Sequence, residues 1–131
     1  MESTRTHSRS GSPFEQAANY SRAVRVGNAI AVSGTAATGA NGSAFHPGTY
    51  EQTREAFDRA LAAVRELGGD VTDVTRTRIF LTVDAEWREA VRAHAELFAG
   101  VDPANTTLYV AAFIPEGVVV EVELDAVVGP L

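Results

Sequence analysis

The sequence contains no cysteine and no lysine. Without cysteine there is no thiolate nucleophile, disulfide, Cys-type zinc site or iron–sulfur cluster. Without lysine the chain cannot form a Schiff base on its own amine, nor build the usual Gly-Lys-Ser/Thr phosphate loop. Long apolar runs are also missing, and nothing approaches the roughly 20 residues of a membrane span. The segment Met1–Ser12 has no apolar stretch of the secretory-signal kind. Positive charge is in short supply, because 11 arginines face 17 acidic residues for a net charge of −6. Nucleic acid and membrane are therefore not the expected partners, since both attract basic surfaces. The three histidines have no ligand spacing, so no metal site or cofactor is expected. A cysteine-free chain of this kind is expected in the cytoplasm.

What is present is an ordinary globular composition, with 45% hydrophobic residues over 131 positions. That length suits one domain, 13–131, preceded by a flexible or strand-docked tail, 1–12. From Tyr20 residues alternate as in a strand, and Gly27-Asn28 suits a tight hairpin turn before a return strand, Ala29 to Gly34. Thr38 to Gly48 reads as loop, with a short strand near Phe45. Thr49 to Leu67 has helical spacing at Phe57, Ala60, Leu61, Val64 and Leu67, with Thr49 and Gln52 as a capping-box pair and Gly68-Gly69 as the stop. A strand, Val71 to Val83, follows. Asp84 is placed to cap a second helix, Ala85 to Ala99, whose apolar stripe includes Trp87, Val91 and His94. Strands Asn105 to Phe113 and Val118 to Val128 end the chain, joined through Pro115-Glu116-Gly117.

The resulting order is ββ(β)αβαββ, an α+β fold with two helices covering one face of a mixed sheet. The last strand indicates what the other face carries. Val118, Val120, Val122, Leu124 and Ala126 form an apolar side, whereas Glu121, Glu123 and Asp125 share the opposite side. Phe80 and Tyr109 are expected on that second side, and such a mixed polar and aromatic face suggests burial between subunits.

Several short stretches recur together in this order: Tyr20 followed by Val26-Gly27-Asn28 and Val32-Ser33-Gly34, Asp73-Val74-Thr75-Arg76-Thr77 leading into Ile79-Phe80-Leu81, Asp102-Pro103-Ala104, and Val120-Glu121-Val122-Glu123. Together they resemble the Rid/YjgF family, also called endoribonuclease L-PSP, over about Tyr20 to Val128. The resemblance implies a chorismate-mutase-like fold and a homotrimer, a trimeric barrel with ligand pockets between adjacent subunits. It also implies hydrolysis of reactive enamines and imines to ketoacid and ammonia. Glu121 matches the family's water-positioning carboxylate, Tyr20 its pocket tyrosine, and Ser33-Gly34 its ligand-facing backbone.

One position departs. Where the family carries an arginine that holds the substrate carboxylate, this chain has Asn105. Removing one partner of a buried bidentate ion pair costs on the order of 2–5 kcal/mol, a factor of roughly 30 to several thousand. A simple iminoacid should enter less readily, and the substrate is expected to be altered. Asn105, Thr107 and Tyr109 share one strand face by period two and are candidate pocket residues.

Each candidate has a plainer alternative. Glu121 and Glu123 could be interface or solvated carboxylates, Tyr20 an edge-strand aromatic, and Ser33-Gly34 a bulge. Arg22 shares a face with Tyr20 and could replace the lost anchor, although a solvated or salt-bridged role is the expectation. Arg76 and Arg78 suit ion pairs between subunits with the acidic last strand. His94 and Trp87 are expected in the core. Two functions remain open: a deaminase-type enzyme acting on a small-molecule enamine or imine, and a non-catalytic trimer that binds a metabolite or partner protein.

Overall fold

The computed structural model describes residues 4–44 and 48–129. The elements, in chain order, are β1 (Arg5–Ser8), α1 (Pro13–Ala18), β2 (Ala23–Val26), β3 (Ala29–Thr35), α2 (Thr49–Glu66), a 3-10 turn (Val71–Asp73), β4 (Val74–Leu81), α3 (Trp87–Leu97), β5 (Ala104–Tyr109) and β6 (Val120–Val127). The six strands form one sheet ordered β1-β2-β3-β6-β4-β5. All pairings are antiparallel except β4 with β5, which α3 connects as a crossover. The two last strands are thus not neighbours. The polypeptide between them travels back across β4, so that β6 lies between β3 and β4.

The core lies between α2 and one face of the sheet. Phe57, Leu61 and Val64 of α2 pack against Ile30, Val32, Ile79, Leu81, Val122 and Leu124, all buried. On β6 the expected alternation holds, with Val120, Val122, Leu124 and Ala126 buried and Glu121, Glu123 and Asp125 on the half-exposed side. Gly27 turns β2 into β3 with φ 61°, a conformation glycine adopts without a Cβ clash.

Several sequence expectations change. Of the two alternatives for the segment before residue 13, Arg5–Ser8 takes the strand-docked one: it adds β1 to the sheet edge, and the buried Ser8 hydroxyl donates to Glu66 at 2.9 Å. Helix α1 was not expected at all. Its cues were local, with Ser12 as N-cap accepting from the Phe14 N–H and Pro13 in the first turn. The capping box of α2 does not form. Gly48 is the N-cap, Thr49 Oγ1 instead accepts from the Glu86 N–H at 3.0 Å, and Gln52 bridges Gly117 O and the Val119 N–H. Both side chains are buried, so they satisfy backbone groups of neighbouring segments. Asp84 accepts from the Thr82 hydroxyl and does not cap α3. Trp87 is 43% exposed under the Arg88 guanidinium, and so is not core. Val83 lies beyond β4 and is exposed. Thr38 pairs with Ala44 in one isolated bridge, while the strand expected near Phe45 lies outside the described residues.

Candidate functional site

A long strand with one buried face has no choice about its other face. Because Val120, Val122 and Leu124 point to the helices, Glu121 must stand on the open side of the sheet. There it faces β3, whose pairing with β6 is irregular between Val32 and Thr35. Gly34 sits in that irregular stretch, and its missing side chain is what makes room for Glu121. A Cβ built on Gly34 would collide with Glu121 Oε1 and lie 3.1 Å from its Cδ.

Glu121 and Gly34 border an open groove of about 1320 Å³, shared with Tyr20, Arg22, Phe113 and the N-terminal segment. Burial pushes the Glu121 carboxyl above its ordinary range, Arg22 pulls the other way, and Glu123 adds to the rise. The group therefore holds a proton more readily than a surface glutamate.

Ser33 does not offer its hydroxyl to the groove, because Oγ donates to the Ser21 carbonyl at 2.6 Å. Arg22 donates through Nη1 to the Gly34 carbonyl and to Thr35 Oγ1, and through Nη2 to Glu15, so it is salt-bridged as expected. Glu15 is almost fully buried at 4% exposure, a residue the sequence reading passed over. Burial alone would raise its pKa. The Ser10 hydroxyl and N–H, with Arg22, outweigh that and hold it below the usual carboxylate range. Its sequence signal was present as Ser12-Pro13-Phe14-Glu15, the spacing of a capping box.

Asn105, Thr107 and Tyr109 do share a face, but within one chain it is not that of Glu121. Asn105 pairs with Thr77 and Tyr109 with Leu81, both on the helix side of the sheet, whereas Phe80 lies opposite Glu121. Tyr109 is accordingly not on the acidic face. The Asn105 amide donates to Thr77 Oγ1 at 3.1 Å, and Thr107 Oγ1 donates to Asn105 Oδ1 at 2.8 Å. Thr77 Oγ1 also lies 2.8 Å from His94 Nε2. The His94 ring packs against Phe57 and Phe98. Burial lowers the His94 pKa and keeps the ring neutral. Strand β5 is exposed along its length and, among the described residues, has an outer edge with no strand beside it. Arg78 binds Glu123 at 3.2 Å and Asp125 at 3.5 Å within the chain. Among the described residues no helix is long and apolar enough to cross a membrane, and no group of three metal-ligating side chains converges.

Comparison with known proteins places this geometry. The family model for endoribonuclease L-PSP matches residues 11–128. The uncharacterized protein SCO2049 of Streptomyces coelicolor is 39% identical over 117 residues, covering 89% of this chain and 87% of that protein. The human 2-iminobutanoate/2-iminopropanoate deaminase is 28% identical over 113 residues, covering 86% and 82%. The crystal structure of Rv2704 from Mycobacterium tuberculosis, a member of the YjgF/YER057c/UK114 family, matches with a TM-score of 0.86 at 40% identity, covering 95% of this chain and all of that one.

Proposed function

The chain belongs to the endoribonuclease L-PSP (YjgF) family, and from that premise we propose that it hydrolyses a reactive enamine or imine at the Glu121–Gly34 groove. The observation that carries the proposal is the half-buried Glu121 carboxylate, seated over a glycine that leaves backbone and carboxylate open to the same groove. In this reading Glu121 takes a proton from water as the water oxygen bonds to the C=N carbon. The C=N π electrons pass to nitrogen, which receives that proton from Glu121 to give a carbinolamine; Glu121 then carries the hydroxyl proton to nitrogen as the C–N bond breaks, so that a carbonyl compound and ammonia leave. Tyr20 covers the substrate. The small-molecule substrate is favoured over RNA by the net charge of −6.

A homotrimer acting in the cytoplasm is part of the proposal. An exposed β5 edge suits a neighbouring subunit, whose Asn105, Thr107 and Tyr109 would approach from across the seam. With Asn105 in place of arginine, the preferred substrate is a carbonyl-derived imine lacking a free carboxylate, or one larger than a simple iminoacid. The asparagine also supports the second reading, a trimer that binds a metabolite or partner without turnover.

The test uses imines generated in the assay, one series carrying a carboxylate and a matched series without one. Carbonyl and ammonia release is followed against buffer. Acceleration, greater for the second series, is expected. No acceleration of any imine rejects the enzyme reading and leaves the binding one.

A further inference from the structure

We infer that Arg22, clamped by the buried Glu15, is the positioning residue of the Glu121–Gly34 centre. The inference rests on the proposed role of Glu121 and assigns the pair that holds it.

The need for such a device is visible in β3. Its ladder with β6 is irregular from Val32 to Thr35, and on the β2 side the Ser33 N–H donates to the Arg22 carbonyl at 2.9 Å. Side chains add to that hold across the irregular stretch. Ser33 Oγ ties to Ser21 O at 2.6 Å, Thr35 Oγ1 donates to Ser33 O at 2.8 Å, and Arg22 Nη1 reaches both the Gly34 carbonyl and Thr35 Oγ1. One planar guanidinium thus spans the irregular stretch, a task the single ammonium of a lysine performs poorly.

A guanidinium only 16% exposed needs a counter-charge, and Glu15 supplies it at 3.4 Å. Glu15 is fixed in turn by the Ser10 hydroxyl and N–H. The chain of contacts therefore runs Ser10–Glu15–Arg22–Gly34, and Glu121 rests on the last member.

The charged surroundings of Glu121 leave Arg22 as the cation that bears on it. Glu123 on the same strand repels it. From β4, Arg78 is committed to Glu123 and Asp125, and Arg76 lies beside Asp125. Strand β3 brings no ionisable side chain. From α2, Arg59 is held by Glu55 and the Ala36 carbonyl, and Glu66 accepts from Ser8. Arg9 and Tyr20 complete the groove.

The test reads Glu121 directly, in the full-length protein without substrate, by carboxyl-carbon NMR across pH, with the Glu121→Gln spectrum as assignment. Arg22→Gln removes the attracting charge, so the Glu121 titration should move up. Glu15→Gln leaves Arg22 uncompensated, so it should move down. Arg22→Lys should restore the titration toward that of the unmodified protein, while kcat for imine hydrolysis stays about 10- to 100-fold low with KM little changed, because the fork is lost. If Arg22→Gln does not fold, the double variant Glu15→Gln/Arg22→Gln carries no unpaired charge, and its Glu121 titration must lie above that of the unmodified protein. A titration unmoved in both single variants, or moved in one direction by both, overturns the inference. Opposite shifts in a protein that hydrolyses no imine would remove the reaction while supporting the pair's control of Glu121.

Discussion

Replacing Gly34 by alanine is the sharpest perturbation that geometry offers. Gly34 is not in the left-handed region, so alanine adds no backbone strain there. The added methyl would instead meet the Glu121 carboxylate, with Cδ already at 3.1 Å where carbon atoms prefer about 3.5–4.0 Å. The backbone around Gly34 is tied by Arg22, so the free end of Glu121 must swing aside by about 1 Å. A misplacement of that size costs about 100-fold in rate, equivalent to roughly 2.7 kcal/mol. Stability should change by less than about 1.5 kcal/mol, because the clash is with the flexible end of a side chain rather than with the core. The assay pairs kcat/KM for the best imine substrate with a thermal melt. A large rate loss with a small melting shift is predicted. Activity within a few-fold of the unmodified protein would refute the claim that the glycine exists to seat Glu121.

Three further predictions follow from the fold. Gln52→Ala empties a fully buried side-chain position and strips partners from the Gly117 carbonyl and the half-buried Val119 N–H, and should cost about 1–3 kcal/mol, read as a drop of roughly 5–10 °C in a thermal melt. His94 is neutral in the fold with a depressed pKa, so the unfolded chain takes up its proton first on acidification. Its contribution is present above about pH 6.5 and is lost as pH falls through the folded value, and melts from pH 8 to 5 should show a smaller acid loss in His94→Gln. Light scattering should give three times the chain mass of 13.9 kDa, and Leu108→Glu on the exposed β5 should lower it, whereas a clean monomer of the unmodified protein would refute the trimer.

Much of this architecture could be read before the structure was in view, and the parts that could not have a common cause. Strand β6 was legible because its apolar residues recur every second position and one face is buried, so the period also located Glu121. Helix α2 was legible because its apolar stripe is long. Strand β5 was legible as a strand but its facing was not, because Asn105, Thr107 and Tyr109 and the alternate residues Thr106 and Leu108 are similarly ambivalent. Period two put the first three together but could not say which side of the sheet they occupy. Helix α1 is six residues long and shows no usable period, although Ser12, Pro13 and Glu15 marked its start. The roles of Thr49 and Gln52 depend on partners distant in sequence, and those of Glu15 and Arg22 on contacts that no single helix or strand period relates. Local rules therefore assigned the first two to a cap that the buried environment redirects.

The account turns on whether the Glu121 carboxylate moves the proton in imine hydrolysis. The most direct measurement is the rate of ammonia release by Glu121→Gln beside the unmodified protein, on the same freshly generated imine and with folding verified by a thermal melt. The side chain keeps its size and hydrogen-bonding reach but loses its basicity. A fall of about 100-fold or more is predicted, in the range general acid–base groups contribute. A folded Glu121→Gln protein that releases ammonia at the rate of the unmodified chain would contradict it.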